Sequence, residues 1–253
     1  MLAKLTINLE ADSEEFGYYQ SSNMQGILMG QIDSEYAELL HRQGMNPYSQ
    51  FLRCDNGFQW IICTLTKEAY EHIILPLNNP DFSSFCIKKK NIQIKITKKE
   101  LETISRKILL EEFYLSEGGR YLSLEFKTPT AFKQNGRYVN YPDIRLLFQS
   151  LMNKYGTGSY EMEMFDEETL EQLTRDITVS RYKLHSVMFP MEGIRIPAFM
   201  GNMTIQISGP KTMASYARML VRFGEYSGVG IKTGMGMGGI RIIEGRKNDR
   251  REN

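Results

Sequence analysis

Residues 203–243 read MTIQISGPKTMASYARMLVRFGEYSGVGIKTGMGMGGIRII, and the order of patterns in this stretch decides the fold class. Met203, Ile205 and Ile207 alternate with Thr204 and Gln206, the period of a half-buried strand. Pro210 then opens a helix through Phe223 that carries Met213, Ala217 and Leu220 on its inner side. A loop from Ser227 to Gly239 follows, with six glycines in its last twelve residues, and Ile240–Ile243 gives a short closing strand.

Working outward, Leu122, Leu124 and Phe126 alternate with Ser123, Glu125 and Lys127 in another strand. Pro142 and Asp143 open a helix with Ile144, Leu147, Phe148 and Leu151 on one stripe, and Gly156 is placed to end it. The N-terminal half has a similar layout. Ala3, Leu5, Ile7 and Leu9 form a strand, and Met24–Gln43 is helical with a break at Asp33-Ser34. Asp55-Asn56-Gly57 reads as a hairpin turn before an apolar strand from Phe58 to Leu65. Lys67–Leu77 is a helix, and Ile92, Ile94 and Ile96 mark a further strand. Each half therefore reads strand, helix, strands, helix, strand, the split β-α-β order. The expected fold is α+β: two tandem ferredoxin-like (RRM-like) domains, 1–118 and 119–246, with a C-terminal glycine-rich loop and a polar tail 247–253. Helices would cover one face of each antiparallel sheet and leave the other open, a platform that suits RNA.

Composition narrows the function classes. Hydrophobic residues are 42% and charged residues 24%, ordinary for a globular chain. No run of about eighteen apolar residues exists, so no membrane span is expected. No secretory signal pattern opens the chain, and the expected compartment is the cytoplasm. Cys54, Cys63 and Cys86 are scattered without Cys-x-x-Cys spacing, so neither a disulfide frame nor a metal knot is expected, and no cofactor is read. Net charge is only +1, but it is unevenly spread: Cys86–Lys107 holds eight Lys or Arg against two Glu, whereas Glu161–Glu171 holds six acids and no base. A basic face on a near-neutral molecule is compatible with that distribution.

The glycine loop follows a helix and precedes a strand, the reverse of a Walker or Rossmann context, so a mononucleotide cradle fits poorly. Gly228, Gly230, Gly234, Gly236, Gly238 and Gly239 with Lys232 make it a candidate RNA-backbone contact, since glycine lets amides approach a phosphate. A tight connection between elements is the competing reading. Arg195, and the mixture Arg181-Tyr182-Lys183, suit phosphate contact and stacking. The histidines are His41, His72 and His185; His72 and His185 read as structural.

Several stretches together resemble a known family. The loop Gly228–Gly239, preceded by Arg222-Phe223-Gly224-Glu225-Tyr226, is similar to the C-terminal signature of the RAMP superfamily. With Glu192–Gly201, Phe126–Thr130, Asp143–Phe148, Gln25–Leu28 and Tyr36–His41, the chain resembles the sixth CRISPR-associated protein family, whose members cut precursor crRNA. The resemblance implies CRISPR repeat RNA as partner and metal-independent cleavage. The ribose 2′-hydroxyl would attack the adjacent phosphorus and leave a 2′,3′-cyclic phosphate and a 5′-hydroxyl. It also implies His41 as the catalytic histidine, imidazole being a side chain suited to proton transfer near neutral pH.

The Tyr and Lys that some members carry nearby are not matched: Met29 and Asn46-Pro47 stand there, and no Lys occurs between Lys4 and Lys67. Tyr36 is the candidate second catalytic residue, with Ser22, Arg42 and Arg53 as further substitutes. The alternative function is a non-catalytic RNA-binding RAMP subunit of a crRNA effector complex. Effector-complex proteins and a homodimer are open as further partners.

Overall fold

The computed structural model describes residues 1–13, 16–55, 57–88, 90–115, 119–156, 166–191 and 193–243. Asn56 of the expected turn, Glu117-Gly118 at the expected domain junction, and the tail 247–253 lie outside them.

The first half runs β1 (Leu2–Ala11), α1 (Ser21–Gln31), α2 (Ser34–Arg42), β2 (Tyr48–Arg53) and β3 (Phe58–Thr64). A helix with a π-turn at its centre follows, made of α3 (Lys67–Ala69), Tyr70–Ile74 and α4 (Leu75–Asn78), and then β4 (Ser84–Ile87), β5 (Ile92–Ile104) and α5 (Arg106–Leu115). The second half runs β6 (Tyr121–Thr130), β7 (Phe132–Gln134), β8 (Arg137–Val139), α6 (Ile144–Gly156), α7 (Glu167–Asp176), β9 (Ile177–Met191), β10 (Ile194–Ile207), α8 (Lys211–Ser227) and β11 (Ile240–Ile243). One sheet has the order β2-β3-β1-β5-β4, the other β11-β6-β10-β9, and β7 pairs with β8 in a small ribbon. Every pairing between these strands is antiparallel.

The alternation read from the sequence sets which way each strand faces. Ala3, Leu5 and Ile7 of β1 and Trp60 and Ile62 of β3 point toward α1, α2 and the π-turn helix, in a core with Met24, Leu28, Leu40 and Ile73. Leu122, Leu124 and Phe126 of β6 point toward α6 and α8 and are at most 1% exposed. Burying each contributes roughly 1.5–3 kcal/mol relative to leaving it in water.

The first sheet departs from expectation: its second face is not open. Leu2, Phe51, Ile61 and Cys63 point away from α1 and join the same core as α6 and α8. Helix α8 is buried on more than one side, from Ala214 and Ala217 through Leu220, Val221, Phe223 and Gly224 to Tyr226, because it lies between the two sheets. At the seam Ser49 Oγ donates to the Tyr226 carbonyl at 2.6 Å, and the Lys4 amine sits 4.7 Å from the centre of the Tyr226 ring. The layers therefore stack as helices, sheet, helices, sheet. The outer face of the second sheet stays open, with Tyr121 59% exposed.

Candidate active site

The glycine-rich loop is mostly interior. Gly228, Gly234, Gly236, Gly238 and Gly239 are buried; a Cβ on Gly228, Gly236 or Gly238 would meet a neighbour closer than 3.0 Å, and one on Gly234 or Gly239 would press on Tyr48 or Phe51 at 3.0–3.1 Å. A Cβ on Gly236 would lie 2.1 Å from Ser21 Cβ of α1, and one on Gly238 2.0 Å from the Val229 carbonyl oxygen. Gly236 and Gly238 also hold φ of 106° and 72°, where only glycine is unstrained. The loop bridges the halves. Gln50, fully buried on β2, donates to the Gly234 carbonyl at 3.1 Å and to the Ser21 carbonyl at 2.8 Å, and accepts from Trp60 Nε1 at 2.8 Å.

Most of its amides are already used. Val229 and Gly238 donate to the Gly238 and Pro129 carbonyls, Ile231 to the Ala131 carbonyl, Gly230 to Ser150 Oγ and Gly239 to Thr128 Oγ1. Gly228, Gly236, Gly238 and Gly239, expected from the sequence to contact RNA, lie in the interior, and the amides of Gly228, Gly238 and Gly239 donate to the Gly224 carbonyl, the Pro129 carbonyl and Thr128 Oγ1.

The outer edge of the same loop does form a site. A hollow of about 450 Å³ lies between it and the segment that follows α2, lined by Gln25, Met29, His41, Asn46, Tyr48, Lys154, Gly230, Lys232, Thr233 and Gly234 among others. Local sequence explains how each wall arises. Asp33 caps α2, accepting from the Glu35 and Tyr36 amides at 2.9 and 3.1 Å, which fixes the helix whose last turn carries exposed His41. Lys232 is exposed and takes a left-handed φ of 57°, a conformation that costs a non-glycine residue roughly 1–2 kcal/mol. Tyr48 on β2 sends its hydroxyl toward Gly234 and accepts from Gln25 Nε2 at 3.4 Å; burial pushes this phenol above its ordinary pKa. Asn46 Oδ1 is buried without a hydrogen-bond partner.

Sequence reading missed Lys154. It is buried in the last turn of α6, and its amine donates to the Ser227 and Gly228 carbonyls at 3.3 and 3.2 Å and meets Thr233 Oγ1 at 3.2 Å. Burial pulls its pKa down to about 7. The signal was available: Lys154 follows Leu147 and Leu151 at i+7 and i+3, a cation on the apolar stripe of a helix. Asp and Glu are absent from the described lining of the hollow, so its charged side chains are cationic.

The structure brings His41, Gly230, Lys232 and Gly234 together and leaves the other candidates elsewhere. Tyr36 is buried, does not line the hollow, and stacks on His72 with ring centres 4.3 Å apart. Its hydroxyl has no partner and its pKa is raised, by burial first. Arg42 pairs with Glu38 at 3.0 Å on the surface of α2, and Arg53 bonds Gln59 across the β2–β3 hairpin. Ser22, on α1, also lies outside the hollow. Arg195 is exposed near the tip of the β9–β10 hairpin, opposite Pro190. Among the described residues no three His, Cys, Asp or Glu side chains gather as a metal-ligand set, and no helix is long and apolar enough to cross a membrane.

Residues 124–240 match the family model of CRISPR-associated endoribonuclease Cas6. A Streptococcus thermophilus protein of that name is 38% identical over 224 residues, 87% of this chain and 89% of the relative. One from Mycobacterium tuberculosis is 37% identical over 246 residues, 95% of this chain and 78% of the relative. The fold is that of a Cas6 product complex, with a TM-score of 0.77 at 20% identity over 96% of this chain and all of that one. It is also that of Thermus thermophilus Cas6, with a TM-score of 0.73 at 19% identity over 96% and 98% of the two chains. With relatives this close over nearly its whole length, the chain belongs to the CRISPR-associated endoribonuclease Cas6 family.

Proposed function

We propose that this protein binds CRISPR repeat RNA and cuts the precursor transcript in the hollow between His41 and the glycine loop. The observation that carries the reading is that hollow: an exposed imidazole faces a cation-bearing loop edge, and the described lining holds no acid. An anionic phosphodiester is drawn to such a place, and Lys232 supplies charge for the phosphorane as it forms. His41 moves a proton at the attacking 2′-hydroxyl or at the leaving 5′-oxygen. The acid-free lining also offers no carboxylate to hold a divalent ion, which favours 2′-hydroxyl attack without metal and a 2′,3′-cyclic phosphate product.

The strand orders β2-β3-β1-β5 and β11-β6-β10-β9 support two tandem ferredoxin-like domains, 1–118 and 119–246. Because residues of both line the hollow and α8 packs against both sheets, the hollow forms only when the two are docked. Labelled repeat RNA incubated with the protein in EDTA tests the reading. Scission with a cyclic phosphate end is expected, and replacing the nucleotide before the cut by its 2′-deoxy form abolishes scission while leaving binding intact. Strict dependence on added divalent metal, or normal cutting of the deoxy substrate, overturns the chemistry. Binding without scission in any buffer selects the non-catalytic alternative.

A further inference from the structure

We propose that Lys154 is a positioning residue for cleavage, acting through Thr233: its ammonium sets which way the Thr233 hydroxyl presents its hydrogen to the hollow. The proposal rests on the reading of the hollow as the cleavage site. Its geometry is simple. The Lys154 amine has three polar neighbours, the Ser227 and Gly228 carbonyls and Thr233 Oγ1, at 3.2–3.3 Å. An ammonium has three donors and no lone pair, so Thr233 Oγ1 must accept from it. The Thr233 hydrogen is then free, and the open side of this otherwise buried residue is the hollow, where a phosphate oxygen accepts it.

A neutral amine still satisfies both carbonyls, but its lone pair now takes the Thr233 hydrogen. Thr233 then turns an oxygen lone pair toward the hollow and repels an anion. One proton on Lys154 therefore converts Thr233 between donor and acceptor without moving the loop. Burial pulls the Lys154 amine down to about 7, so both forms are populated near neutrality. The other titratable groups lining the hollow are His41 on α2, Tyr48 on β2 and Lys232 in the loop; α8 and the Ser227–Gly228 turn offer Lys154 only carbonyls.

The test is single-turnover cleavage of repeat RNA at saturating enzyme, with RNA affinity measured alongside, for Lys154→Met, Thr233→Val, Thr233→Ser and the Met/Val double variant. Lys154→Met and Thr233→Val should each slow scission about 10- to 100-fold, the loss of one hydrogen bond to a charged group. Affinity should stay within about threefold. Thr233→Ser, which keeps the hydroxyl, should cut nearly as well as the parent, and the double variant no more slowly than the worse single one. In the parent the rate should fall as pH rises through the Lys154 titration, a limb that Thr233→Val removes. A parental rate in Thr233→Val, or losses that multiply in the double variant, overturns the proposal; if Lys154→Met does not fold, Thr233→Val alone decides. A parent protein that never cuts RNA overturns the cleavage reading instead.

Discussion

Gly236→Ala should destabilise the protein strongly, because the glycine loop is a joint between the halves. Two costs follow from the geometry. Alanine at φ 106° occupies backbone space that L-residues avoid, at roughly 1–2 kcal/mol. Its Cβ would sit 2.1 Å from Ser21 Cβ and 2.9 Å from Ser21 Oγ, and Ser21 cannot yield freely: its Oγ donates to the Tyr18 carbonyl and accepts from the Leu52 amide. Overpacking of that kind costs roughly 1–3 kcal/mol more. The sum is about 2–5 kcal/mol, which for a chain of this size lowers Tm by about 4–20 °C. The control is Gly26→Ala on the exposed face of α1, where an added Cβ meets nothing within 4 Å. It should be neutral or stabilising by roughly 0.5–1 kcal/mol. Calorimetric melts of both variants decide the matter. A Gly236→Ala melt within a degree of the parent would refute the close approach of loop and α1, and with it the account of why the loop is glycine-rich.

Two further outcomes follow. Lys232→Ala should weaken RNA binding and lower the salt slope of log K by about 0.7, one phosphate contact on a single strand, as read by filter binding at several salt concentrations; an unchanged slope removes Lys232 from the RNA path. The pH dependence of stability should carry the mark of Lys154. Its folded pKa, about 7, lies below its unfolded value, so the unfolded chain binds more protons between pH 7 and 10.5 and stability must rise with pH across that window. The difference in unfolding free energy between the parent and Lys154→Met should therefore shift in the parent's favour from pH 7 toward 10.5, and a difference flat with pH contradicts a buried, readily neutralised amine.

What the sequence disclosed depended on whether the controlling contacts were local. The strands at 2–11, 121–130 and 240–243 and the helix at 144–156 were legible because each turns its apolar stripe to the core and so shows its period, and the helix at 211–227 was legible from the inward spacing of Met213, Ala217 and Leu220 although it is buried on more than one side. The β9–β10 hairpin was not legible over most of its length: β9 is exposed on both faces from Ser180 to Lys183, so no alternation survives there. The covering of the first sheet by α8 depends on contacts between residues far apart in the chain, such as Ser49 and Tyr226, 177 positions apart. Composition exposed the glycine loop, but its purpose lies with Ser21, Phe51 and Ala131, which no local pattern connects to it. At the site, the His41 segment was legible through its resemblance, whereas Tyr36 was a near neighbour in sequence that the helix turns into the core. Lys154 escaped because a single cation on an apolar stripe looks like an interruption of the pattern.

The central claim, that His41 moves a proton during RNA cleavage in this hollow, is tested most directly by single-turnover cleavage of repeat RNA with saturating His41→Ala protein in EDTA. His41 is exposed, so its loss should leave the fold and the RNA affinity near those of the parent. The account predicts scission slower by roughly 10²–10⁴-fold, the usual share of a general acid or base. A His41→Ala rate within about threefold of the parent, far short of that share, would contradict it.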